Sequence, residues 1–221
     1  KKNETKKICC FEAEEIFSGK EGRKKLLLGT VGALPGEPED SRYNFSVCKN
    51  LYRRELIKQY GLRFPEEREI PSEDVLFELD FLSCVRLAVG IPGAYYCYCR
   101  NEESSTRKKA ENPYGQYKFL MKGLREKLSC IMEEKEYRLF TDRMFQARAR
   151  TAIVQEIQAG DEDHRTLMER LRAICRDDEL QQVLKRYPWW KLPVRQALFA
   201  AGMRYRLAEA LYWLVKLKER G

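Results

Sequence analysis

Two adjacent carboxylates, Glu73 and Asp74, are the residues of this chain best placed to do chemistry. They follow Ser72, a residue typical of a helix N-cap. The segment after them predicts a helix to about residue 88, with an apolar stripe formed by Val75, Leu79, Leu82 and Val85. A carboxylate that projects from such a helix start into a cleft can act as a general base. The pair also suits the first turn of a purely structural helix, and the residue pattern alone leaves both interpretations open.

Several other segments accompany this pair in a definite order. Upstream are C-K-N-L-Y-R-R-E-L-I at residues 48–57 and G-L-R-F at residues 61–64; downstream are Y-C-Y-C-R at residues 96–100 and S-S-T at residues 104–106. In this order they resemble family 2 glycosyltransferases of the GT-A fold. The family pattern is roughly W-N-K-L-Y-R-R-E-L-I, then G-L-R-F, then E-D-x-x-F, then Y-x-Y-R followed by S-x-T. The chain departs from it at Cys48, at the inverted pair Lys49-Asn50, and at Cys99 before Arg100.

The resemblance implies a role for each matched residue. Asp74 would be the catalytic base that deprotonates an acceptor hydroxyl for in-line attack on the anomeric carbon, with inversion, and Glu73 would orient the acceptor. The other substrate-binding residues that it implies are Lys49, Tyr98, Arg100 and Ser105. An arginine suits a nucleotide diphosphate because its planar guanidinium pairs with phosphate oxygens. The implied reaction moves a sugar from a nucleotide-sugar donor to a glycan or lipid-linked acceptor in bacterial surface polysaccharide synthesis.

The resemblance also implies parts that this sequence does not contain. Enzymes of this family begin with a nucleotide-binding α/β half that carries a metal-binding D-x-D motif. Residues 1–45 are too few for that half and hold no such motif. We therefore expect a divalent cation, Mg²⁺ or Mn²⁺, whose main ligands lie outside this chain, and we assign no metal ligand within it. The expectation is a C-terminal portion of a longer enzyme that is inactive by itself.

The elements that must position these residues change character near residue 110. Residues 1–110 mix strand-like and helical patterns, with a turn predicted at Gly19 to Gly22, and are expected to form the acceptor-side part of a GT-A-like catalytic domain. Residues 111–221 form a helical C-terminal region. Its helices are predicted near residues 114–135, 137–159, 163–175, 177–186, 193–202 and 204–219. The predicted fold class is therefore α/β to mostly α.

Composition excludes several classes of protein. The single histidine, His164, rules out a site built on several imidazoles, and no C-x-x-C pair supports a zinc site. Eight cysteines at irregular spacing suit a reducing cytoplasm. No apolar run has the roughly 18–20 residues of a membrane span, so no transmembrane helix is predicted.

The net charge of +8 is concentrated at the C-terminal end. Residues 185–221 hold nine basic and two acidic residues, a net charge of +7, together with all three tryptophans. Three interpretations compete: a packed helix with a solvated basic face, a surface for anionic membrane lipids at the inner face of the plasma membrane, and nucleic-acid binding. Nucleic acid is the least expected partner because no recognised module accompanies the charge. For the whole chain, the alternative to an enzyme is a non-catalytic basic helical module that binds a membrane or a partner protein.

Overall fold

Short strands and longer helices make up this chain, and the helices predominate. The computed structural model describes residues 5–8, 11–43, 46–65, 73–99, 112–159 and 163–219. The strands in these ranges are β1 (Thr5–Ile8), β2 (Glu15–Ser18), β3 (Leu87–Gly90) and β4 (Tyr96–Cys99). The helices are α1 (Gly19–Val31), α2 (Arg54–Gln59), α3 (Glu73–Cys84), α4 (Pro113–Ser129), α5 (Glu134–Ala159), α6 (His164–Arg176), α7 (Asp178–Arg186), α8 (Val194–Arg204) and α9 (Ala208–Glu219).

The strands form two antiparallel pairs. β1 pairs with β4, so that Thr5 lies opposite Cys99 and Ile8 opposite Tyr96. β2 pairs with β3, with Glu15 opposite Gly90 and residue 18 opposite residue 87. The two ladders place the N-terminal segment beside the chain that follows α3.

The predicted apolar stripe of α3 faces the core. Val75, Leu79 and Leu82 are buried on α3, and Val85 is buried just after it, which confirms the apolar stripe. The predicted helix end near residue 88 is wrong, because α3 ends at Cys84 and Leu87–Gly90 pairs with β2 as a strand. α3 packs against α1 and α4, where Leu27 and Leu120 are fully buried. Burial of this stripe fixes the rotation of α3 about its own axis, and that rotation decides which of its polar side chains reach the opposite face.

α5 is the central helix of the C-terminal half. It contacts α1, α4, α6, α7, α8 and α9, and Phe145, Ala149 and Ile153 on it are fully buried. One continuous cluster of buried apolar side chains includes residues on both sides of residue 110. The helices predicted after residue 113 are all present, and their ends differ from the predicted ones by a few residues. The mostly helical class is thus confirmed, whereas the division into two domains stays a prediction.

The predicted turn at Gly19 to Gly22 is wrong, because these residues open α1. Tertiary contacts outweigh the low helix propensity of glycine here. Leu27, Leu28 and Val31 of α1 are buried, and the Arg23 guanidinium donates a hydrogen bond to the Ser83 carbonyl oxygen at 3.0 Å. The Gly- and Lys-rich sequence of residues 19–25 gives no indication of these long-range contacts.

Within the described ranges, no helix is both long and apolar enough to cross a lipid bilayer.

Candidate active site

The candidate site lies on the side of α3 that flanks its buried stripe. Asp74 and Glu78 are four residues apart, so their side chains leave the helix on the same side. Phe77 and Phe81 occupy the same face. Residues 47–64 cover this face, because α3 contacts both the short 3₁₀ turn at Val47–Lys49 and α2. The site is therefore built from two segments about 25 residues apart in sequence.

A tight helix end directs the covering segment back onto α3. Gly61 has φ +60°, a left-handed conformation in which a side chain would be strained. Its N–H donates to the Lys58 carbonyl oxygen, and the Leu62 N–H donates to the Ile57 carbonyl oxygen at 3.0 Å. This is a Schellman arrangement, in which Gly61 follows the end of α2. After the turn, the ring of Phe64 stacks on Phe77 with centroids 4.2 Å apart.

Tyr52 connects the covering segment to the α3 carboxylates. Its ring packs edge-on against Phe77 and Phe81, at centroid distances of 5.7 and 4.8 Å. Its hydroxyl donates a hydrogen bond to one carboxylate oxygen of Glu78. Asn50 Nδ2 donates to the other oxygen at 2.9 Å and lies 3.1 Å from the Tyr52 hydroxyl oxygen. Both oxygens of Glu78 are therefore hydrogen-bonded within a partly aromatic enclosure.

Burial dominates the electrostatics of this cluster. Glu78 is only 5% exposed, and desolvation raises the pKa of its carboxyl above 4.5, although the hydrogen bonds from Tyr52 and Asn50 act in the opposite direction. Burial and the bond to Glu78 raise the pKa of the Tyr52 phenol, which stays protonated. The negative charge of Asp74 raises both pKa values, whereas the Lys49 ammonium lowers that of Glu78.

Two of the residues predicted from the sequence meet at this cluster. Asp74 and Lys49 are both half-buried, and both act electrostatically on Glu78. Glu73 begins α3, and Tyr98 lies in β4 opposite Lys6, but their side chains are outside the described part of the structure. Arg100 and Ser105 lie outside the described residues altogether.

Sequence reasoning did not select Glu78, Tyr52 or Asn50. Glu78 carried a signal, because it is an acid inside the apolar run V-L-F-E-L and lies one helical turn after Asp74. Tyr52 and Asn50 lie inside the segment that carries the family resemblance, but nothing local indicates that they face α3. Only the packing of residues 47–64 against α3 joins the three side chains.

The described residues do not supply a metal site. In the ranges given above, no group of three or more His, Cys, Asp or Glu side chains is arranged to hold a metal ion. At the candidate site itself, both Glu78 oxygens already accept hydrogen bonds from protein donors. The divalent cation implied by the resemblance thus has no fitting ligand set in this part of the chain.

A second concavity, of about 490 Å³, lies on the outer face of α4. Its cations are already neutralised: Lys118 Nζ lies 2.6 Å from Asp177, and Arg125 is paired with Glu179. The groove is wide and shallow, and its acidic and basic side chains satisfy one another. It is therefore a weaker candidate than the α3 cluster, where a half-buried carboxylate lies beside a buried polar network.

No protein-family model, curated protein or solved structure matches this chain.

Proposed function

We propose that this chain is the acceptor-side and helical C-terminal part of an inverting glycosyltransferase of GT-A type, in which Asp74 is the catalytic base. The proposed substrates are a nucleotide-sugar donor and a glycan or lipid-linked acceptor. The proposed setting is surface polysaccharide synthesis in the cytoplasm of a bacterium, at the inner face of the membrane.

The observation that carries this proposal is the junction of two motif segments at one buried carboxylate. Asn50 and Tyr52 come from the segment that resembles the family pattern W-N-K-L-Y-R-R, and Glu78 lies one turn after the E-D pair. Lys49 and Asp74 both act electrostatically on Glu78, and the hydrogen bonds of Glu78 hold the covering segment on α3.

The proposed chemistry needs one proton transfer and one displacement. The Asp74 carboxylate accepts the proton of the acceptor hydroxyl while that oxygen forms a bond to the anomeric carbon of the donor sugar. The bond from the anomeric carbon to the diphosphate oxygen breaks, and the nucleoside diphosphate leaves with the electron pair. Attack opposite the leaving group inverts the anomeric configuration. The start of α3 suits a carboxylate in this role because the helix dipole favours its ionised form.

The test uses the complete gene product that contains this sequence. Release of nucleoside diphosphate is measured with a panel of UDP-, GDP- and dTDP-hexoses, with simple alkyl glycosides as acceptors. Asp74→Asn is expected to lower the turnover number by about 10²–10⁴-fold, because the amide cannot accept the acceptor proton, and to leave donor binding intact. Donor binding is measured separately by calorimetry.

Asp80→Asn is the matched control. Asp80 lies on the same helix but points to α4, where both of its oxygens accept hydrogen bonds from Lys127 Nζ at 2.6 and 2.8 Å. Equal turnover in the two variants would contradict the assignment of Asp74 as base. Turnover by the 221-residue chain alone would contradict the expectation that the donor-binding part lies outside it.

A further inference from the structure

The last two helices and the turn before them expose an unusual amount of apolar surface. We call this the α8–α9 surface, and its members are Trp190, Val194, Leu198, Tyr205, Leu207, Trp213 and Leu217. Val194 is 76% exposed, and Trp190, Tyr205 and Leu217 are each more than 60% exposed. Exposed apolar residues that occur singly need no explanation, but a set concentrated within 28 residues of sequence does.

The helical periodicity shows that these side chains form stripes. Val194, Leu198 and Tyr205 share one face of the α8 segment, and the opposite face carries the buried Ala200 and Met203. On α9, Trp213 and Leu217 are exposed one turn apart, while Leu211 and Val215 are buried. Each helix is thus apolar on two sides, of which only one is used in the core.

Close packing keeps α8 and α9 side by side. A Cβ atom at Gly202 would lie 2.6 Å from Leu211 Cδ2, so the α8 backbone approaches the Leu211 side chain closely. Trp189, beside Trp190 with ring centroids 5.9 Å apart, also contacts the ring of Tyr205 at 6.3 Å. The aromatic turn before α8 and the end of α8 therefore form one continuous aromatic edge.

Exposed cations occur between these apolar residues along the sequence. Lys191, Arg195 and Arg206 are exposed, and no carboxylate within the described residues forms an ion pair with them. Glu209 is an acid of α9. Its carboxylate oxygens lie 3.5 Å from nitrogen atoms of both Arg172 and His164 on α6. The segment that carries the apolar stripes, residues 185–221, is thus predominantly positive.

We propose that the α8–α9 surface docks on an anionic lipid bilayer. Trp and Tyr side chains suit the boundary between headgroups and acyl chains, the aliphatic side chains enter the apolar layer, and the cations meet lipid phosphates. A second copy of the chain is a poorer occupant, because it would place two segments of charge +7 against each other. This proposal does not depend on glycosyl transfer.

The tryptophans give a local probe for the test. All three lie at residues 189, 190 and 213, so intrinsic tryptophan emission reports on this region alone. The 221-residue chain is mixed with vesicles of phosphatidylcholine and with vesicles that also contain phosphatidylglycerol. We expect co-sedimentation and a blue shift of the emission with the anionic vesicles at low salt, and bromine-labelled lipid should quench that emission.

Two variants test the two halves of the surface. The double variant Val194→Glu/Leu198→Glu changes side chains that face solvent, so circular dichroism should be unchanged while vesicle binding is lost. The triple variant Lys191→Ala/Arg195→Ala/Arg206→Ala should weaken binding by about two orders of magnitude, since each cation near an anionic surface contributes about fivefold. The charge-matched control, Lys122→Ala/Lys135→Ala/Arg165→Ala, removes three exposed cations elsewhere and should weaken binding far less.

Several outcomes would overturn the proposal. These are the absence of vesicle binding at low salt, equal loss in the two triple variants, and binding that survives Val194→Glu/Leu198→Glu. Salt-sensitive binding to nucleic acid without vesicle binding would also overturn it. A further contrary result would be a dimer of the parent chain, detected by light scattering, that Val194→Glu/Leu198→Glu converts to a monomer while the parent chain does not bind vesicles.

Discussion

At the scale of single residues, Glu78 shows how the fold uses a buried carboxylate. Taking such a group out of water is costly unless hydrogen bonds replace its hydration. Tyr52 and Asn50 provide one donor to each oxygen, and the Lys49 charge adds a smaller favourable contribution. Desolvation still prevails, and the pKa of Glu78 stays above its ordinary value. The side chain therefore fixes residues 49–52 beside Asp74 at some cost to stability.

Replacing Glu78 with Gln should change how stability depends on pH. Because the folded-state pKa is raised, the folded chain binds more protons than the unfolded chain between pH 4.5 and that raised pKa. The stability of the parent protein should fall as pH rises through this window. Glu78→Gln lacks this titration. The free energy of unfolding of the variant minus that of the parent, both measured by urea denaturation, should therefore increase as pH rises through this window and stay constant above it.

Glu126→Gln is the control for this effect, because Glu126 is 66% exposed on α4. Its stability relative to the parent should show no such rise. The stability difference between Glu78→Gln and the parent could instead stay constant from pH 4 to pH 7 or change in the opposite direction. Either result would show that burial does not raise the pKa of the Glu78 carboxyl.

At the scale of secondary structure, the helices of the C-terminal half carry their own boundary signals. Asn112, Asp163 and Asp177 are N-caps whose side-chain oxygens accept hydrogen bonds from backbone N–H groups of the first turn. α6 and α7 also separate polar from apolar faces clearly, with Leu171 and Leu180 fully buried. Local caps and periodicity together explain why these helices could be predicted from the sequence.

Asp163 provides a direct test of such a cap. Its Oδ1 accepts from the backbone N–H groups of Arg165 and Thr166, at 2.8 and 3.0 Å. Asp163→Ala should lower the urea midpoint of unfolding, because both N–H groups at the start of α6 lose that acceptor. Asp163→Asn should retain most of the stability, since an amide oxygen can accept the same bonds. Equal urea midpoints for the two variants would argue against a capping role.

At the scale of the whole molecule, Arg143 joins parts that are far apart in sequence. It lies on α5 and is only 1% exposed. Its guanidinium donates to Asp40 at 3.0 Å, to the carbonyl oxygens of Glu37 and Glu39, and to Gln196 of α8 at 2.7 Å. One buried side chain thus fastens the loop after α1 to the central helix and to the C-terminal helices.

Arg143→Met should destabilise the protein by about 3 kcal/mol or more in urea denaturation, because it leaves several polar groups of this junction without a donor. Arg143→Lys should not restore the loss, since an ammonium group cannot reproduce the planar fork of the guanidinium. Arg138→Ala is the matched control on the same helix. Arg138 is half exposed and pairs with Glu134, so its removal should cost at most about 0.5 kcal/mol. A similar loss in Arg143→Met and Arg138→Ala would contradict the structural role of the buried junction.

The sequence by itself determined the features that depend on local pattern. The buried stripe of α3, the end of α2 at Gly61 and the succession of helices after residue 113 follow from periodicity, caps and the conformational freedom of glycine. The concentration of basic residues and tryptophans after residue 185 can be counted directly from the sequence. Such features need only neighbours within one or two helical turns.

The tertiary structure decided the features that depend on distant partners. It made a helix of Gly19 to Gly22, it buried Glu78 beneath Tyr52 and Asn50, and it left Val194 in solvent although its type suits a core. In each case the deciding free energy comes from burial against an element far along the chain. Burial depends on which helix faces pack together, and that packing is settled only when the whole chain has folded.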